Sequence, residues 1–104
     1  MTESEVSEII EREINGNWSL SNAHGVDLKR CLIAPAKQIY EDSFRDGETL
    51  ELWLVLEEAP EDKSGYKIVF DEKSGLFRLA IIGFHQRDVF IGFYGTFLET
   101  LEGM

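Results

Sequence analysis

Apolar residues near the start of the chain recur at helical spacing. At this spacing, one stripe of a helix would carry four of them: Val6, Ile9, Ile10 and Ile14. Thr2 and Glu5 have the spacing of a capping box, and Gly16 stands where a helix commonly ends. The pattern predicts an amphipathic helix over residues 4–15 that packs one face against a sheet.

The middle of the chain alternates between apolar and polar positions. Between residues 48 and 57 one predicted strand face carries four leucines: Leu50, Leu52, Leu54 and Leu56. The opposite face is mixed and carries Thr49, Glu51, Trp53, Val55 and Glu57. Further strands are predicted at residues 66–71, 76–82 and 89–94, with a hairpin connection at 71–75. The connections are too short for parallel crossovers, so these strands should be antiparallel.

Residues 26–44 leave two interpretations open. The apolar run from Cys31 to Ile33 favours a strand over residues 28–34, and Pro35 excludes an uninterrupted central strand or helix. Residues 36–44 then form either a short helix that begins at Pro35 or an edge strand beyond a bulge. The strand is preferred because only Gly47 could end such a helix. The polar residues 17–25 are predicted to form a loop.

The C-terminal residues contain a second helix signal. Thr96 and Glu99 form a capping box, Phe97 and Leu101 supply an apolar side, and Gly103 ends the helix. The predicted fold is therefore α+β, with an N-terminal amphipathic helix, an antiparallel β-meander of four to five strands and a short C-terminal helix. At 104 residues, the chain is expected to form one domain over residues 1–104.

The charge of the chain is strongly asymmetric. Residues 1–62 hold 15 acidic and 5 basic residues, a net charge of −10, whereas residues 63–104 hold 5 of each, a net charge of zero. Such a surface repels nucleic acid, because phosphate binding requires lysine and arginine. It attracts basic proteins and speeds their encounter. A basic protein is therefore the expected partner, and no nucleic-acid partner is expected.

The compartment is inferred from what the composition lacks. Cys31 is the single cysteine, so no intramolecular disulfide can form. The first residues are acidic and polar where a signal peptide would be basic and then apolar. No apolar run is long enough to span a membrane. We expect a cytoplasmic protein with no membrane partner.

Reactive side chains are few. His24, Asp27 and Cys31 form the one constellation with a nucleophile and a base, but Cys31 lies in an apolar run, where a thiol is usually buried and inert. His85, in a predicted turn, has no stronger claim. One cysteine and two histidines are too few for a structural zinc site of these two residue types. We therefore predict no catalytic residues, no metal and no cofactor, and keep His24 and Asp27 as alternative ligand-binding residues.

A candidate partner-binding surface follows the mixed strand face and the acidic stretch after it. Residues 57–65 are predicted to form an exposed polar loop. A tryptophan on the mixed face is either covered by a helix or, if exposed, an anchor for a partner. The residues predicted to contact a partner are Glu51, Trp53, Glu57, Glu58, Glu61 and Asp62.

Three classes of function fit these features. The preferred hypothesis is a small non-catalytic interaction protein that binds a basic partner. Bacterial immunity proteins that neutralise toxin nucleases share its size, acidity and mixed architecture, although no motif places the chain in such a family. The first alternative is a small-molecule binding protein or enzyme with a cleft near His24 and Asp27. The second is a structural homo-oligomer, such as a homodimer formed through the mixed sheet face.

Overall fold

Three helices and five strands make up the described part of the chain. A computed structural model describes residues 1–22, 25–42, 48–61, 64–82, 88–90 and 95–104. The helices are α1 (Glu3–Ile14), α2 (Leu28–Cys31) and α3 (Phe97–Gly103). The strands are β1 (Leu32–Asp42), β2 (Thr49–Ala59), β3 (Ser64–Asp71), β4 (Leu76–Ile82) and β5 (Asp88–Phe90).

The N-terminal helix forms as its spacing predicts. The Thr2 hydroxyl accepts the backbone N–H of Glu5, and the Glu5 carboxylate accepts the N–H of Thr2, which completes the capping box. Asn15, in the left-handed conformation, closes the C-terminus with Gly16 behind it. The predicted stripe faces the protein interior, where Val6, Ile10 and Ile14 are buried. The opposite face of α1 is exposed to solvent and carries the acidic residues Glu8 and Glu11.

The strands form one antiparallel meander in chain order, which confirms the predicted α+β class. Each strand from β1 to β4 pairs with the next strand along the chain. A feature that the periodicity did not predict is closure. Glu41 and Asp42 of β1 pair in parallel with Val89 and Phe90 of β5, so the sheet closes into a five-stranded barrel. An odd number of alternating strands brings the first and last together in the same direction.

The ambiguous segment resolves into a helical turn followed by a strand. Residues 28–31 are helical, not extended as predicted, because the Asp27 carboxylate accepts the backbone N–H of Lys29 and caps a single turn. Residues 36–42 are strand, as preferred. Between Leu32 and Ala36 four steps along β1 match two along β2, and Pro35 lies within this irregularity.

A register shift in β2 overturns its predicted alternation. Leu54 pairs with Val69 and Leu56 pairs with Ile68, so Val55 is an extra residue in β2. The shift moves Leu56 to the face that carries Trp53. The expectation that all four leucines share one face was therefore wrong, because side-chain alternation holds only while the register is regular.

Two apolar clusters fill the two sides of the sheet. The larger joins the helices to one sheet face and contains residues from α1, α2, α3, β2, β3 and β4. Within it, Phe77 stacks at a tilt on Phe70 and meets Phe97 edge to face, with ring centroids 4.7 and 5.6 Å apart. The smaller cluster contains strand residues only: Tyr40, Leu52, Leu54, Val69 and Ala80.

The C-terminal helix α3 is confirmed with its capping box. Its N-terminus also receives a carboxylate from another element. The two oxygens of Glu13, in the last turn of α1, accept the backbone N–H groups of Phe97 and Leu98, each at 3.2 Å. This contact fixes the angle between α1 and α3 at the side of the barrel.

Candidate functional site

Trp53 lies in the core instead of on an open sheet face. It is 8% exposed, belongs to the cluster shared with the helices, and is covered on its outer side by Lys37, whose Nζ lies 5.1 Å from the ring centroid. Its indole N–H has no hydrogen-bond partner in the described residues. The alternative in which a helix layer buries Trp53 is thus the observed one, and the condition for its use as an exposed anchor is not met.

A small ion-pair network surrounds Lys37 above Trp53. The Lys37 ammonium lies 2.9 Å from Glu72 and 3.5 Å from Glu51, and the N-terminal amine of Met1 lies 3.1 Å from the second Glu72 oxygen. Hydrogen bonds from Lys37 and the amine lower the pKa of Glu72 to about 2, and the Glu72 hydrogen bond raises the pKa of Lys37. Glu51, a predicted partner-binding residue, therefore faces a cation of its own chain.

Glu57 and Glu58, the next two predicted partner-binding residues, lie in β2 and not in a loop. Glu57 is buried opposite Lys67, its cross-strand neighbour. The Glu58 carboxylate accepts the backbone N–H of Tyr66 at 3.0 Å, and Gly65, with φ at 79°, leaves room for it. The expectation of an exposed loop from residue 57 was wrong, because cross-strand pairing extends β2 through Ala59.

Of the two remaining members of the predicted surface, the structure describes Glu61, which follows β2. Glu61 is exposed and forms an ion pair with Arg30, and Asp62 lies outside the described residues. At about 3.3 Å per residue, the six positions from Glu51 to Glu57 span roughly 20 Å. The described members of the set are thus spread along β2 and the turn after it. The partner-binding role of the six residues stays a prediction.

The structure describes only one member of the alternative ligand-binding pair, so a role for His24 and Asp27 stays a prediction. Asp27 is exposed and its carboxylate caps α2, whereas His24 and His85 lie outside the described residues. Cys31 is fully buried and its thiol donates to the Glu58 carbonyl at 3.6 Å. A buried, hydrogen-bonded thiol of this kind is a poor nucleophile. Within the described ranges, no three His, Cys, Asp or Glu side chains come together as metal ligands.

Sequence reasoning missed a group of buried charges. Lys67 and Asp71 alternate with the apolar residues of β3, and both are buried on the face that carries Val69 of the strand-only cluster. Asp71 accepts a hydrogen bond from Arg78 of β4 at 3.1 Å, and both side chains are about one-tenth exposed. A buried pair of this kind holds the geometry of the β3–β4 hairpin and contributes little net stability.

Two carboxylates of α1 remain open to solvent. Glu8 and Glu11 are exposed, and neither side chain forms an ion pair or hydrogen bond within the part of the chain that the structure describes. Arg12 is directed to the Glu8 carbonyl, not to a carboxylate. The α1 acidic face, defined here as Glu8 and Glu11, therefore presents negative charge outward.

A cleft runs between this helix and the start of β1. This α1–β1 cleft has a volume of about 260 Å³, and its lining residues come from α1, the following loop, α2 and β1: Ser7, Ile10, Glu11, Trp18, Lys29, Leu32 and Ile33. Trp18 is 38% exposed, unusual for so large an apolar side chain. A second, shallower depression of about 440 Å³ adjoins it at Glu11 and continues over Glu8, Arg12, Asn15 and Gly16.

Similarity to known proteins does not indicate a function for this chain. None of the helices in the described ranges is long and apolar enough to cross a membrane. No protein-family model, curated protein or solved structure matches the chain. The function is therefore inferred from the α1 acidic face and the cleft beside it.

Proposed function

We propose that the chain is a non-catalytic interaction protein that binds a basic protein through the α1 acidic face. The observation that carries this proposal is the position and surroundings of Glu11. It lies in the last turn of α1, where the negative end of the helix dipole disfavours an acid, and no described cation compensates it. An acid at this position does not stabilise the helix, and its carboxylate is open to contact with a cationic partner.

The use of the other carboxylates sharpens the contrast. Glu5 and Glu99 cap their own helices, Glu13 caps α3, and Glu72 binds Lys37. These acids are occupied by the fold itself. Glu8 and Glu11 remain available for a partner.

The partner is expected to be strongly basic. A net charge of −10 gives the molecule a long-range negative field, which raises the encounter rate with cationic surfaces. An inhibitor or immunity-type role is the form of this function that the size, acidity and α+β fold fit best. The single buried cysteine is compatible with our proposal of a cytoplasmic location.

A second candidate is a small-molecule binding protein that uses the α1–β1 cleft as its site. Its volume of about 260 Å³ is below the roughly 300–1,000 Å³ of typical ligand sites. Asp27 is not among its lining residues. The interaction protein therefore ranks first.

Affinity capture with the full chain, followed by calorimetry on the purified complex, tests the proposal. The captured partner should be basic, and the affinity should fall steeply between low and physiological ionic strength, where the Debye length is about 8 Å. Glu8→Lys should weaken binding about tenfold, since loss of an interfacial charge contact commonly has an effect of this size. Glu102→Lys makes the same charge change on exposed α3 and is the matched control.

Two results would contradict the proposal. One is a partner whose binding is insensitive to salt, and the other is equal binding by the Glu8→Lys and Glu102→Lys proteins. If the partner is an enzyme, loss of its activity in the complex would support the inhibitor role.

A further inference from the structure

The α1–β1 cleft combines an apolar floor with a charged rim. Ile10, 4% exposed, lines it from α1, and the half-buried Leu32, which packs in the same cluster as Ile10, lines it from β1. Trp18 closes one end with its ring partly open to water. The cleft therefore offers a dry contact for an apolar group and an aromatic surface beside it.

The volume of the cleft limits its occupant. A space of about 260 Å³ is small for a complete ligand, but it suits one large side chain that a partner inserts while the rest of the partner stays outside. Interfaces commonly place such an apolar anchor in a central pocket surrounded by polar contacts. An anchoring side chain is thus a better match than a free metabolite.

The charges around the cleft define what flanks that anchor. Glu11 lies on the ridge between the cleft and the adjoining depression, where Glu8 and the C-terminal end of α1 add negative charge. Lys29 lines the cleft from α2, and neither it nor Glu11 forms an ion pair in the described ranges. A cation is favoured on the α1 side and disfavoured on the α2 side.

We infer that the α1–β1 cleft binds a segment of a basic protein in which a large apolar side chain is flanked by arginine or lysine. The apolar side chain enters between Ile10 and Leu32 and contacts Trp18, while the neighbouring cation binds Glu11. This inference rests on the proposed function and specifies the surface and the recognised sequence type.

Selection from a random-peptide display library tests it, with counter-selection on the Trp18→Ala/Glu11→Lys double variant. Peptides enriched on the wild-type protein should carry a large apolar residue within two positions of arginine or lysine. Binding of the synthesised peptides should weaken about tenfold in Trp18→Ala and in Glu11→Lys, in line with interface anchors. Glu102→Lys, the matched control, should leave binding unchanged.

Lys29→Glu gives a test in the opposite direction. Removal of the cation from the α2 side should strengthen binding of the same peptides about threefold or more, since a repulsive charge becomes attractive. Nuclear magnetic resonance locates the contact, because the indole N–H signal of Trp18 should shift on peptide addition while that of buried Trp53 should not. Each variant's spectrum also reports whether it is folded.

Several outcomes would overturn the inference. These are a selection without enrichment over the double variant, enrichment of acidic peptides, and signal shifts confined to residues outside the cleft. Basic peptides that bind Trp18→Ala normally but lose affinity in Glu8→Lys would remove the cleft and leave the proposed function standing. Failure of both the peptides and a captured basic partner to bind would remove both.

Discussion

Carboxylates of the same residue type do different work in this chain according to what surrounds each one. Glu57 is buried opposite a lysine, Glu58 binds a backbone N–H, and Glu72 lies between two cations. Glu11 has none of these contacts in the described residues. At the scale of the residue, Glu11 differs from these acids in having no such contact and in lining the α1–β1 cleft.

The Glu72 network makes a testable contribution to acid stability. Because its folded-state pKa is about 2 and its ordinary value is 4.5, ionised Glu72 stabilises the fold above pH 4.5 and loses this effect as the pH falls toward 2. Glu72→Gln should therefore be less stable than the wild type at pH 7, and the difference should vanish near pH 2. Urea unfolding at several pH values measures it.

Glu102→Gln serves as the control for that series, because Glu102 is exposed on α3 and forms no ion pair in the described ranges. It should show no comparable pH dependence. A Glu72→Gln deficit that is the same at pH 7 and pH 2 would exclude the ion-pair explanation.

At the scale of the element, α1 has two separate faces with separate consequences. Its apolar stripe packs on the sheet, and its last turn supplies Glu13 to the N-terminus of α3. The orientation of α1 is thus held by both packing and capping. That orientation leaves Glu8 and Glu11 on the outside and places Ile10 in the lining of the cleft.

Removal of the Glu13 carboxylate should loosen this junction. Glu13→Ala leaves two backbone N–H groups of α3 without their acceptor and should lower the free energy of unfolding by about 1–2 kcal/mol, as loss of a helix cap does. Glu11→Ala, two residues earlier and solvent-exposed, should change it by less than about 0.5 kcal/mol. Chemical denaturation compares the two, and equal losses would mean that Glu13 does not act as a cap.

At the scale of the whole molecule, the excess negative charge opposes compaction. Self-repulsion in a chain of net charge −10 destabilises the folded state, and salt screens this repulsion. A protein adapted only for stability would carry less of it. Binding of a cationic partner would reduce this electrostatic self-repulsion.

Sodium chloride should stabilise the protein at neutral pH. Raising its concentration from about 0.01 to about 0.15 M shortens the Debye length from about 30 to about 8 Å. We expect Tm at pH 7 to rise by about 4 °C or more, equivalent to roughly 1 kcal/mol for a chain of this size. Near pH 4.5, the isoelectric point, the rise should be absent. A Tm that falls with salt at pH 7 would mean that ion pairs outweigh repulsion.

The local elements of this protein could be predicted from its sequence because their signals are local. The stripe of α1, both capping boxes and the hairpin at residues 71–75 depend on residues within a few positions of each other. The antiparallel order of the strands also followed, since short connections allow no other. The charge asymmetry was likewise visible without coordinates.

Tertiary structure decided whatever depends on register and on contacts between distant residues. The extra residue at Val55 moved Leu56 to the other face, and cross-strand pairing buried Glu57, where polarity alone predicted exposure. Barrel closure and the α1–β1 cleft join residues from separate elements, which no periodicity encodes. The sequence therefore determined the helices, the strands and the net charge, while only the packed chain decided which charges remain available to a partner.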